Sequence, residues 1–180
     1  MKEVKVSVEG TTPLLMNRFR DTAIDTQGKK RTGAMERPEL TEKLYISGMK
    51  PCIPGVYFRS AIVEAAKQFK ITGKGKSTYS KLAGSTIVIK EEYCEIIPGS
   101  YDEYRIAGVN PMTKGRMMVS RPRFNKWGCS FTVQLTDDSL PVDILHQLIE
   151  QAGNYVGVGD WRPEKKGMFG KFMITSFLEK

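Results

Sequence analysis

The sequence predicts an α+β domain: an antiparallel sheet of ferredoxin-like order, two helices on one face, and long loop excursions. Two observations lead there. Apolar residues repeat every second position in some stretches and at helical spacing in others. Read in order, those stretches run strand, helix, strand, strand, helix, strand, which suits that two-layer arrangement. At 180 residues the chain is expected to form one domain over 1–180, large enough for a substantial core.

Val4, Val6 and Val8 alternate with Lys5, Ser7 and Glu9, the pattern of a half-buried first strand. After "TTPLLMNRF" comes a long polar segment with little periodicity, so a mobile loop is expected at about 13–44. "PCIPG" punctuates the chain before a helix. There Phe58, Ala61, Ile62, Ala65, Ala66 and Phe69 form one apolar stripe. "ITGKGKSTYSKLAGS" reads as a Gly- and Lys-rich loop, and "TIVIKEEYCEII" as one strand ended by "PGS". "EYRIAGV" adds a short strand before a basic arm at about 110–126. Cys129, Phe131, Val133 and Leu135 alternate as a further strand. "TDDSLP" opens a second helix with Val142, Leu145, Leu148, Ile149 and Ala152 on one face, ending near Gly153. "GKFMITSFL" closes the chain as a strand.

The net charge of +8 is segregated. Lys67, Lys70, Lys74, Lys76, Lys81 and Lys90 lie in residues 65–90 without an acid. Arg105, Lys114, Arg116, Arg121, Arg123 and Lys126 lie in residues 104–136, again without an acid. The rest of the chain holds sixteen basic against twenty acidic residues. Segregation of this kind points to a polyanionic partner rather than to a surface tuned for solubility. The start of the chain lacks the apolar block of a signal peptide, and no apolar run approaches the ~20 residues of a membrane span. A cytoplasmic protein is expected. Its three scattered cysteines support neither a disulfide framework nor a zinc site.

Catalytic and cofactor motifs fail on inspection. Gly75-Lys76-Ser77 looks like the end of a P-loop, but Lys70 stands where the motif needs glycine, and a helix precedes it. The Gly157-Val158-Gly159 run follows a helix and precedes a strand, the reverse of a dinucleotide fingerprint. The single histidine, His146, sits at the edge of a helical apolar stripe, and no metal or cofactor is expected. What remains is binding. In "GVGDWRPEKKGMFGKF" the glycines Gly157, Gly159, Gly167 and Gly170 permit close backbone approach, so that amides face phosphate oxygens. Arg162, Lys165, Lys166 and Lys171 surround them, and Trp161 is a candidate for stacking on a base. "RPRF", Arg121 to Phe124, also interleaves cations with an aromatic. Tyr57 and Tyr79 are weaker candidates.

Two stretches resemble a known family. "CIPGVYFRSAIVEAAK", with Ile53, Pro54, Gly55, Arg59 and Ala61, resembles a signature of the RAMP superfamily of CRISPR-associated RNA-binding proteins. The paired glycine clusters around "DWRPEKK" resemble that family's glycine-rich loop, with one extra residue in the second cluster. The overall layout is similar to small phage-encoded proteins at the family's fringe. The resemblance implies an RRM-related fold, with nucleic acid lying near the first helix and the glycine-rich loop and phosphate contacts from Arg59 and that loop. It also implies a thumb-like role for the basic arm and copies assembled along the strand.

The function expected is therefore non-catalytic binding of single-stranded RNA or DNA through its backbone, with weak sequence preference. It requires Arg59, Arg121 and Arg162 to share one face. The alternatives are a RAMP-type ribonuclease using Asp21, Asp25 or His146, and a CRISPR-subunit mimic acting through protein contacts.

Overall fold

The computed structural model describes residues 2–19, 39–109 and 112–180. The centre of the polar segment, with Asp21 and Asp25, lies outside the described residues. In chain order the strands are β1 (Lys2–Gly10), β2 (Leu14–Leu15), β3 (Ile46–Ser47), β4 (Lys50–Pro54), β5 (Ile87–Ile89), β6 (Tyr93–Glu95), β7 (Asp102–Val109), β8 (Arg116–Phe124), β9 (Gly128–Leu135) and β10 (Phe172–Glu179). The helices are α1 (Gly55–Ala65), α2 (Ser80–Thr86) and α3 (Val142–Gln151).

The main sheet is antiparallel and runs β10-β1-β9-β5. With α1 between β1 and β5, and α3 between β9 and β10, this is the ferredoxin-like order expected. Val4, Val6 and Val8 point inward and are buried. Phe58 of α1 stacks on Phe131 at 4.4 Å between centroids and meets Phe172 edge-on at 5.7 Å. Leu145, Leu148 and Ile149 bring α3 onto the same core. Trp127 packs edge-on to Phe172, and its buried Nε1 donates to the Thr12 carbonyl at 2.8 Å, so the indole carries no unmet donor into the core. The opposite face of β1 and its neighbours presents Lys5, Ser7, Glu9, Ser130, Thr132, Ser176 and Leu178. Among the described residues that face offers no aromatic ring to stack on a base.

Four expectations about elements change. "PCIPG" lies mostly in β4, in a small sheet of order β3-β4-β6. The strand expected over 86–97 is split between two sheets. At Glu91 the chain leaves β9, and the Glu91 carboxylate takes over, accepting from the Thr132 amide at 2.6 Å and its hydroxyl at 2.8 Å. The loop after α1 contains α2, whose seven residues are too few to show a period. The chain also stays helical past Gly153, as a π-helical turn over Ala152–Val156.

Gly153 explains that continuation. A Cβ there would lie 2.1 Å from the Phe172 carbonyl oxygen, so only glycine lets the turn rest on β10. In an unconstrained helix Gly→Ala is favourable. Here Gly153→Ala is expected instead to destabilise by roughly 1–3 kcal/mol or more, read as a lower urea midpoint.

Candidate nucleic-acid interface

Beyond α3 the chain folds back on itself over Gly157–Gly170, and the glycines are there for that crossing. Gly157, Gly159 and Gly170 have φ of +71°, +82° and +71°, the left-handed region that favours glycine. A Cβ on Gly170 would lie 1.8 Å from the Val158 carbonyl, one on Gly167 1.7 Å from that of Trp161, and one on Gly159 2.5 Å from that of Leu15. The amides are committed in the same way. Val158 donates to Gly170, Asp160 to Leu15, Gly167 to Arg162, Phe169 to Trp161, and Gly170 to Pro13. Lys171 donates to the Thr12 hydroxyl. The expectation that these amides face phosphate oxygens is therefore corrected: they bind other parts of the chain.

The cations fall into two groups. The first is held by carboxylates. Arg121 Nε donates to Asp160 at 2.7 Å. Arg123 makes two hydrogen bonds to Asp102, at 2.9 and 2.7 Å, and lies 5.3 Å from the centre of the Tyr104 ring. Arg162 donates to Glu164 at 2.8 Å and to the Gly159 carbonyl at 3.2 Å, while Lys165 reaches Glu164 at 2.9 Å. Lys165, and then Arg162, hold the Glu164 carboxyl below its usual range against its partial burial. The second group comprises Lys74, Lys76, Lys114, Arg116, Lys126, Lys166 and Lys171, none of which forms a salt bridge with another described residue.

These residues do not all converge. Arg121 and Arg162 flank the same loop turn at Asp160. Lys166 and Lys171 belong to that loop. Lys74 and Lys76 sit on the exposed loop after α1, and Lys114 and Arg116 at the tip of the β7–β8 hairpin, which is the basic arm. Lys126 lines a separate cleft beside Ser7 and Trp127. Arg59 is a correction. Its Nε donates to the Ile87 carbonyl at 2.9 Å and an Nη to that of Gly84, so it joins α1 to the α2–β5 corner. It also lines a different cleft from Arg162, on another face of α1, so the expected single face of Arg59, Arg121 and Arg162 is not formed: only Arg121 and Arg162 come together, at Asp160. Trp161, at φ +49°, lays its ring against Tyr104 and Phe169 and is half-buried. Tyr79 packs against the core. His146 packs edge-on to Phe177 at 4.8 Å and lines none of the clefts below.

Two adjoining clefts mark where α1 meets the loop. The larger, about 290 Å³, runs along Tyr57, Ser60 and Glu64 opposite Gly157–Gly159, Arg162 and Glu164. The smaller, about 150 Å³, is lined by Tyr45 and Tyr57, with Asn17 and Asp160 also lining it. Tyr57, Gly159 and Arg162 line both. No side chain caps the first turn of α1 and no acid lies in it, and its first amide, that of Gly55, donates to the Glu92 carbonyl at 2.8 Å. The hydroxyls of Tyr45 and Tyr57 are 2.6 Å apart. Burial, and then that hydrogen bond, push the Tyr57 phenol well above the usual tyrosine range. Sequence reasoning missed Tyr45, Asn17 and Lys43. Lys43 is 6% exposed, and its Nζ donates to the Ser120 carbonyl at 2.7 Å and hydroxyl at 3.1 Å, pinning the end of the polar segment to the root of the hairpin. Burial, and then Arg121, push its ammonium below the usual lysine range. No local motif distinguishes these three from other polar residues.

All three cysteines are free and buried, with the Cys94 thiol pushed up to about 12 by burial. Among the described residues no helix is long and apolar enough to cross a membrane, and no cluster of His, Cys, Asp and Glu is placed to hold a metal. No family model and no curated protein matches the chain. Among solved structures, a chain in the cryo-EM structure of the Type III-B Cmr-beta bound to cognate target RNA shares the fold, with a TM-score of 0.55 and 12% identity. The match covers 99% of this chain and 60% of that one. The fold is thus ferredoxin-like, and shared with that chain.

Two outcomes test these assignments. Arg59→Met leaves two carbonyls without their donor and is expected to cost about 1–3 kcal/mol of stability, measured by urea unfolding. The raised Tyr57 phenol means that above about pH 10 the unfolded chain releases this proton before the folded one. The folded state then holds more protons, so stability falls as pH rises. Tyr57→Phe is expected to flatten that fall when urea midpoints are compared between about pH 9.5 and about 11.

Proposed function

We propose that the protein binds single-stranded nucleic acid, RNA or DNA, along the groove where α1 meets the glycine-rich loop. The observation that carries this is that Arg162 lines two joined clefts, with Arg121 held beside them through Asp160. The similarity of fold to a chain from an RNA-bound assembly supports it. Arg162 and the exposed Lys166 take phosphates, and the strand's backbone competes with Glu164 for Arg162. The hairpin tip, with Lys114 and Arg116, adds charge at a distance. Sequence preference is weak, because phosphate contacts carry no base information. Copies assembling along one strand, and descent from a RAMP subunit of phage or cellular origin, belong to the same reading.

The carboxylate pairings of Arg121, Arg123 and Arg162 favour one second reading, a protein-docking module. Nuclease treatment separates the two, since co-purifying nucleic acid raises the 260/280 nm absorbance ratio only under the first.

Anisotropy with a labelled single-stranded oligonucleotide tests the proposal. With five to six phosphates neutralised, log affinity is expected to fall with log salt at a slope of about −4. Arg162→Glu with Lys166→Glu is expected to weaken binding by about tenfold or more while the melting temperature barely changes. Affinity independent of salt would overturn the reading.

A further inference from the structure

The smaller cleft extends beyond the phosphate-gripping Arg162 at its edge. Its floor is Leu14, Met16 and Ile53, exposed by 1%, 4% and 1%. Its walls are two tyrosine rings held edge-to-face at 5.8 Å and 87° and locked together through their hydroxyls. The rim is polar: the Asn17 amide offers both a donor and an acceptor, the Asp160 carboxylate an acceptor, and Arg162 a donor. Its volume of about 150 Å³ is below the ~300–1,000 Å³ typical of drug-sized ligands, and suits one ring system rather than a whole nucleotide. The adjoining cleft of about 290 Å³ provides the remaining space, with Arg162 at the junction.

We infer that the two clefts together hold a single nucleotide turned out of the strand. Its base lies against the joined Tyr45–Tyr57 pair over the Leu14–Ile53 floor, and its sugar and phosphate lie along Arg162 in the larger cleft. The chemistry selects this ligand class. An apolar floor and aromatic walls favour a flat heterocycle, the polar rim favours one with edge donors and acceptors, and the shared arginine favours an attached phosphate. The sheet's open face, without aromatic rings among its described residues, leaves this slot as the place where the groove can engage a base. Asp160 sets its position from both sides: its carboxylate accepts from Arg121 at 2.7 Å and from the Trp161 amide at 3.1 Å.

This inference rests on the strand-binding reading, and two measurements keep their failures apart. The first compares a labelled single-stranded RNA with the same backbone stripped of its bases, by anisotropy at one salt concentration. The abasic strand is expected to bind about 5- to 100-fold more weakly with an unchanged salt slope. Tyr45→Ala, which touches only the smaller cleft, is expected to erase most of that difference while keeping affinity for the abasic strand. The second needs no variant and no strand: saturation-transfer NMR of the unmodified protein with 5′-mononucleotides and with ribose 5-phosphate. Saturation is expected on base protons, with ribose 5-phosphate binding at least about fivefold more weakly. Equal binding of intact and abasic strands, or saturation confined to ribose protons, would overturn the slot and leave the strand grip standing. Base-centred saturation without any strand binding would keep the slot and remove the strand reading.

Discussion

Three lengths of main chain, around Pro13–Leu15, Gly157–Asp160 and Gly167–Gly170, cross at contact distance, and the candidate site depends on that crossing. Side chains are excluded from it. Gly159 faces the Leu15 carbonyl, Gly170 faces that of Val158, and hydrogen bonds join Val158 to Gly170, Gly170 to Pro13 and Asp160 to Leu15. Backbone bonded to backbone leaves the loop little freedom. Arg162, Trp161 and Asp160 thereby acquire fixed positions relative to α1, although they lie far from it in sequence.

The crossing is anchored from below by the aromatic core. Phe172 opens β10 directly after the loop and touches both Phe58 and Trp127. The same phenylalanine offers its carbonyl to the face of Gly153. Core packing and loop geometry are therefore one mechanical unit, and a disturbance in either reaches the clefts.

Charge is arranged differently at the groove and at the periphery. Arginines near the groove are oriented by carboxylates, at Asp160, Glu164 and Asp102. Such pairing restrains each guanidinium and lowers its net field. Lysines without a salt bridge to another described residue lie on exposed loops, where they act over distance and are screened by salt. A strand meeting this surface would feel the lysines first and the oriented arginines on contact.

Much of the fold was legible because apolar periodicity reports burial directly. Val4, Val6 and Val8 marked β1, the stripe from Phe58 marked α1, and Leu145, Leu148 and Ile149 marked α3. Other features hid: α2, with seven residues, the strand β8 within the expected basic arm, the two-residue strands β2 and β3, and the break at Glu91, where a side chain rather than a turn residue ends the pairing with β9. The site was legible in part. Glycines and cations stood out by composition, and Arg162 and Tyr57 do line the groove. Composition misassigned the task of the glycines and of Arg59, since a residue type shows what it can bond but not what stands opposite. Which donors meet carbonyls of the same chain, which arginines meet acids, and that Tyr45 reaches Tyr57 were decided only by tertiary structure, because those partners are brought together by packing and not by spacing along the chain.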